Sequence, residues 1–177
     1  MRSRRRGAGW LALALAVVAV ALAVRASLAS VFVVPTGSMR PTIRPGEWIL
    51  VSRIAFELHP IEVGDVVVLR RPARDPGPAR ANYLVKRVVA TPGEVVASRD
   101  GHVVVNGRVQ PEPYLPAGVT TVGIIPQRVP PGEYFVLGDD RSDSIDSRIF
   151  GPVPGSCIVG EVVAVVWPPS AWGLVRS

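Results

Sequence analysis

Beyond residue 28, prolines and glycines interrupt this chain so often that a helix of more than a few turns has nowhere to form. The sequence holds 18 prolines and 17 glycines, and a proline inside a helix removes a backbone donor and collides with the preceding turn. They concentrate in RRPARDPGPARAN (70–82) and PEPYLPAGVTTVGIIPQRVPPGEY (111–134), which read as long surface connections. What remains between the breaks is short and β-branched: Glu47–Val51, Asp65–Leu69 and Tyr83–Val89, with residues 157–167 as a further strand. Asp100-Gly101 and Asn106-Gly107 are two-residue hairpin signals flanking a strand at His102–Val105, because both central positions of a type I′ turn need positive φ. The fold class is therefore all-β, with irregular twisted sheets or a barrel.

One segment escapes the rule. Gly7–Val24, GAGWLALALAVVAVALAV, carries no charge, and at ~1.5 Å per helical residue it covers about 27 Å, close to the hydrocarbon thickness of a bilayer. Arg2, Arg4, Arg5 and Arg6 precede it. By the positive-inside rule they form a basic cytoplasmic N-terminus (1–6), followed by a transmembrane anchor (7–28) and one extracytoplasmic domain (29–177). The localisation expected is a single-pass protein of the cytoplasmic membrane, with the lipid bilayer as one partner. A cleaved secretory leader is the rival reading, and a mature N-terminus at Met1 or Arg2 distinguishes the two. Glu161 interrupts the C-terminal apolar run, which is too short for a second span.

The same arginines explain much of the net charge of +6. The others are scattered, apart from a loose group at Arg70, Arg71, Arg74 and Arg80 that reads as a solvated loop. No aromatic platform is interleaved with them, so no nucleic acid partner is expected. Cys157 is the only cysteine, which excludes an internal disulfide and a thiolate zinc site; it reads as a small buried residue. Trp167 and Trp172 fit either a membrane interface or a packed core.

Chemistry needs a nucleophile and a base. Ser38, just past the anchor, is a candidate nucleophile, but a serine hydroxyl reacts only when a base takes its proton. His59 precedes Pro60 in a turn and His102 follows a hairpin glycine, so neither reads as that base. Lys86 lies among Leu84, Val85, Val88 and Val89. An apolar setting disfavours the ammonium form and makes a lysine basic at accessible pH. The bland reading of Lys86, a stem on a sheet with its amine in water, stays open from this residue alone. DDRSDSID (139–146) lacks the spacing of a calcium loop, and no metal or cofactor is expected.

Taken together, Val34-Pro35-Thr36-Gly37-Ser38-Met39-Arg40-Pro41-Thr42, Gly64-Asp65-Val66-Val67, Lys86-Arg87-Val88, Gly93-Glu94 and the run Gly138–Arg148 resemble the bacterial type I signal peptidases, in order and approximate spacing. The resemblance implies a signal-peptidase-like, all-β catalytic domain with one N-terminal transmembrane helix. It also implies a serine endopeptidase that cleaves signal peptides from exported preproteins through an acyl-enzyme, with small residues at the first and third positions before the cut. On that resemblance Ser38 is the nucleophile, Lys86 the general base, Thr36 an oxyanion donor and Ser144 the group that orients the lysine. Asp146 with Arg148, and Asp139 with Arg141, are structural supports, while Val34, Pro35, Leu84 and Val85 line the substrate pockets. The chain departs from the family pattern at Asp140, Ser142, Asp143 and Phe150.

Two rivals remain in view. A self-cleaving repressor also pairs serine with lysine, but it carries a DNA-binding domain where this chain has its apolar run. A membrane-tethered, non-enzymatic β-domain adaptor would need no activated hydroxyl. The sequence is silent on oligomeric state.

Overall fold

A computed structural model describes Val17, residues 28–77 and residues 82–175. The expected anchor lies outside the described residues apart from Val17 and Leu28, as does Arg80. Among the described residues no helix is long and apolar enough to cross a membrane.

Two antiparallel sheets make up the domain. The larger is built from β1 (Ala29–Val33), β2 (Trp48–Ser52), β3 (Val66–Arg70), β4 (Tyr83–Ala90), β9 (Glu133–Leu137), β10 (Val153–Pro154) and β11 (Ile158–Trp167), in the order β1-β2-β11-β3-β4-β9-β10, with β12 (Gly173–Leu174) on β11. The smaller runs β7-β6-β5-β8, from β5 (Val95–Arg99), β6 (His102–Val105), β7 (Arg108–Val109) and β8 (Gln127–Arg128). Between residues 29 and 175, helix among the described residues is confined to single turns such as Ala55–Leu58 and Ser147–Phe150.

Both hairpin signals are realised. Asp100 and Asn106 hold φ of 52°, and Gly101 and Gly107 hold 82° and 80°. Arg99 thereby pairs with His102, and Val105 with Arg108. This is the left-handed region that asparagine, aspartate and glycine tolerate best.

β3 shows why its sequence is a continuous apolar run. Val66 and Val68 face a cluster with Met39, Ile43, Ile49 and Val51, whereas Val67 and Leu69 face one with Val88, Val136 and Phe150. A strand covered on both faces has no solvent side to make polar. The small sheet packs Val96, Val103 and Val105 onto Phe135 and Leu137 of β9, joining the two sheets.

Two readings of single residues change. Cys157 is half-buried in a turn of 3₁₀ helix rather than in the core. Trp167 and Trp172 are 52% and 68% exposed, so neither is a packed core tryptophan.

Candidate active site

Ser38 sits on the turn that follows β1, and its neighbours fix it. Met39, fully buried, plugs the core beside Ile43, whose N–H donates to the Met39 carbonyl at 2.8 Å. The Arg40 N–H donates to the Gly37 carbonyl at 2.9 Å, which tightens the turn around Ser38. A large apolar side chain next to Ser38 thus acts as a peg: it holds the backbone while the smaller serine stays half-buried.

Lys86 reaches the same place from β4. Its Nζ lies 2.7 Å from Ser38 Oγ, although 48 residues separate them in sequence. The side chain is 3% exposed. Burial pulls its pKa from the ordinary 10.5 down to about 8, against the opposing pull of the carboxylates Asp146, Asp75 and Asp139. The pair opens into a cavity of about 290 Å³ whose walls include Thr36, Gly37, Leu84, Asp143 and Ile145.

The loop 138–148 carries the remaining expected residues and gives the cavity wall Asp143 and Ile145. Gly138 must be glycine, since a Cβ there would meet Ser144 Oγ at 2.3 Å and the Ser38 carbonyl at 2.4 Å. The Asp140 N–H donates to that same Ser38 carbonyl at 3.0 Å. Ser144 Oγ is buried and meets no partner at strict hydrogen-bond geometry among the described residues, though its hydroxyl is close enough to Asp146 to help lower that carboxyl's pKa. Asp146 caps the Ser147–Phe150 turn, accepts from the Gly138 N–H at 3.1 Å, and pairs with Arg148 at 2.8 Å. Burial raises its carboxyl, but the Arg148 hydrogen bond and charge outweigh this and hold the pKa below the ordinary value.

Asp139 and Arg141 brace the loop through separate partners. Arg141 pairs with Glu112 at 2.7 Å and donates to the Gly138 carbonyl at 2.9 Å. Asp139 pairs with Arg87, which is fully buried: Nε and Nη2 donate to its two oxygens, each at 2.9 Å. Thr42, four residues past Ser38, donates to Asp139 at 2.6 Å. Arg87 also donates to the Gly64 carbonyl at 2.7 Å and stacks 3.8 Å from the Tyr114 ring centroid. Asp139 thereby ties β4 to the Ser38 turn.

The sequence reading gave Arg87 no role, though a signal was there. Consecutive charged residues in an apolar strand leave it on opposite faces, so both have to be buried wherever both faces are covered. The arginine group at 70–80 needs correction too. Arg71 is half-buried, and its Nε pairs with Asp75 at 3.0 Å; both residues line the cavity, as does Gly77. Opposite charges four apart in a proline-rich loop gave no hint of this. Among the expected pocket residues Leu84 lines the cavity, Val85 packs against the core, Pro35 is exposed, and Val34, 2% exposed, is in the core. His59 and His102 are exposed. No cluster of three metal-ligating side chains occurs among the described residues.

Residues 7–167 match the family described as signal peptidase, peptidase S26. Thylakoidal processing peptidase 1 of Arabidopsis thaliana is 34% identical over 184 residues, covering 95% of this chain and 54% of that protein. The probable signal peptidase I-1 of Synechocystis is 33% identical over 161 residues, covering 89% of this chain and 81% of the relative. The chain thus spans about half the length of the first relative and most of the second. A solved signal peptidase I from Enterococcus faecalis aligns at 28% identity with a TM-score of 0.48, over 59% of this chain and 97% of that one. The chain belongs to the signal peptidase family, peptidase S26.

Proposed function

We propose that this chain is a membrane-bound serine endopeptidase that removes N-terminal signal peptides from exported preproteins through an acyl-enzyme on Ser38. One observation carries the reading: a desolvated lysine amine 2.7 Å from the serine hydroxyl, at the wall of a small cavity. In its neutral form Lys86 accepts the Ser38 proton as Oγ attacks the scissile carbonyl. The Ser38 N–H and the Thr36 hydroxyl stabilise the oxyanion. The Lys86 ammonium then protonates the leaving amine, and its neutral form later draws a proton from the water that attacks the ester. Ser144, whose buried hydroxyl also helps hold the Asp146 pKa down, steadies the amine.

The substrate binds as an added strand. Tyr83–Lys86 pairs with β3 on one side, while β9 joins β4 only from Arg87 onward, which leaves the Lys86 half of the strand with an open edge among the described residues. Main-chain hydrogen bonds along that edge supply affinity, and the small cavity beside Leu84 and Ile145 selects small residues at the first and third positions before the cut.

Residues 7–28 anchor the domain, with the N-terminus inside and the catalytic domain outside. The exposed Trp48 and Trp167 are register partners at one end of the sheet, next to Val33, which is 55% exposed; Trp172 is exposed as well. An aromatic and apolar end suits the membrane surface.

The test uses the full chain in detergent with a preprotein. Cleavage after a small residue is expected, with none by Ser38→Ala, and Ser38 should be labelled by a serine-directed acylating inhibitor. Wild-type processing by Ser38→Ala would exclude the mechanism. Failure to label or cleave would favour the adaptor.

A further inference from the structure

The cavity that holds Ser38 and Lys86 has a charged wall that the mechanism does not use. Residues 71–77 form a closed clip: Arg71 Nε pairs with Asp75 at 3.0 Å, Arg71 Nη2 donates to the Asp75 carbonyl at 3.1 Å and also to the Gly77 carbonyl, and the Gly77 N–H returns to Asp75 Oδ1 at 2.7 Å. The Asp75 side chain is 3% exposed and that of Arg71 17%. The clip also reaches the far loop, since a Cβ on Gly77 would lie 3.3 Å from Ile145 Cδ1, next to Ser144. It is therefore a roof between the β3–β4 connection and the Ser144 loop, with a carboxylate and a guanidinium in the cavity that holds Lys86.

We propose that the Arg71–Asp75 pair is a positioning element of this site, its carboxylate favouring and its guanidinium opposing the protonation of Lys86. The inference rests on the Ser38/Lys86 reading above. Burial alone disfavours the ammonium; the charges facing it come from two directions. Asp146, Asp139, Asp143 and Arg148 belong to the 138–148 loop, and Asp75 and Arg71 to the clip, while Arg87, the next residue on β4, leaves the strand on its other face. Asp75 is second only to Asp146 among the carboxylates that hold the lysine pKa up. The 138–148 carboxylates have structural duties in capping and in the Arg87 pair, so the clip is the place where the base can be tuned without dismantling the site.

The experiment compares kcat/KM against pH, from about 6 to 10, for the full chain in detergent on a soluble peptide substrate. The wild type should rise along a lysine-dependent limb centred near 8. Asp75→Asn removes a negative charge and leaves Arg71, so its limb should move to lower pH by about half to one unit. Arg71→Met removes the opposing charge and should move it upward by a similar amount, and the double variant should return close to wild type. The opposite signs are the discriminating feature. A roof that merely kept water out would loosen in both variants and raise the limb in both. Shifts of the same sign, or none in either variant, overturn the inference while leaving the dyad standing. A wild-type rate independent of pH overturns the dyad reading, and the inference with it. Titration of the Lys86 side chain by NMR in the same variants gives the second measurement and should reproduce both signs.

Discussion

The two sheets obey opposite rules of burial. The small sheet, β7-β6-β5-β8, hides valines and joins its strands by Asp-Gly and Asn-Gly turns; Val96, Val103 and Val105 are all 2% exposed or less. The large sheet encloses charge: Lys86, Arg87, Asp139 and Asp146 are each no more than 3% exposed. Buried charge is costly unless paired and hydrogen-bonded. Three of these four have charged partners, Arg87 with Asp139 and Asp146 with Arg148. Among the described residues Lys86 has only a serine hydroxyl at hydrogen-bonding distance. The comparison teaches where the molecule departs from stability: one buried lysine is left without an ion pair of its own, and paired charges around it hold that point still.

Lys86→Met sharpens the contrast most. On the proposed Ser38/Lys86 mechanism kcat should fall by ~10⁴-fold or more, yet the variant should be the more stable protein at neutral pH. The drop in the Lys86 pKa from 10.5 to about 8 corresponds to about 3 kcal/mol. Its sign follows from proton counting. Below about 8 both states carry the ammonium and the folded state bears the full cost; between 8 and 10.5 the folded lysine is already neutral; above 10.5 both are neutral and the cost is gone. Denaturant unfolding in detergent should show Lys86→Met ahead of wild type by roughly 3 kcal/mol at pH 6 to 7, the gap closing as pH rises through that window. A variant less stable than wild type at pH 7 would mean that the lysine stem packs more than its charge costs.

Arg87→Met tests the paired side of the same region. It leaves the Asp139 carboxylate buried without its arginine, and breaking a buried pair from one end costs about 3–5 kcal/mol. Through Asp139 and Thr42 the loss also reaches the Ser38 turn, so cleavage should fall alongside stability. Asp139→Asn together with Arg87→Met should recover part of the stability, because the orphaned charge is then gone. An unfolding free energy unchanged in Arg87→Met would remove the pair from its place in the architecture.

How much of this was legible before the coordinates follows the same division. The small sheet was written in turn chemistry, which is local: Asn106-Gly107 needs only its own backbone preferences to make a hairpin. The strands of the large sheet were visible too, because β-branched runs between prolines admit little else. The pairing of Ser38 with Lys86 was reachable only through resemblance to a family, since 48 residues of separation carry no local signal. Arg87 with Asp139, and Arg71 with Asp75 as a cavity wall, depend on which loops pack together. Val34, a pocket residue only by the family resemblance, is buried in the core cluster with Met39 and Ile43, a placement that sequence position alone does not reveal.

Gly107→Ala supplies the smallest effect and the control that gives the comparison its edge. Gly107 holds φ of 80°, and a Cβ there would meet nothing within 4 Å. The penalty is therefore conformational alone, about 1 kcal/mol for an L-residue forced into the left-handed region. It falls on the β6–β7 hairpin, away from the residues that hold Ser38 and Lys86. The melting midpoint should drop by a few degrees, while kcat/KM and the limb near 8 stay where they are. Should Gly107→Ala move that limb, the two sheets are coupled through Phe135 and Leu137, where the hairpin core rests on β9. The division between a sheet built for stability and a sheet built for chemistry would then have to be redrawn along β9.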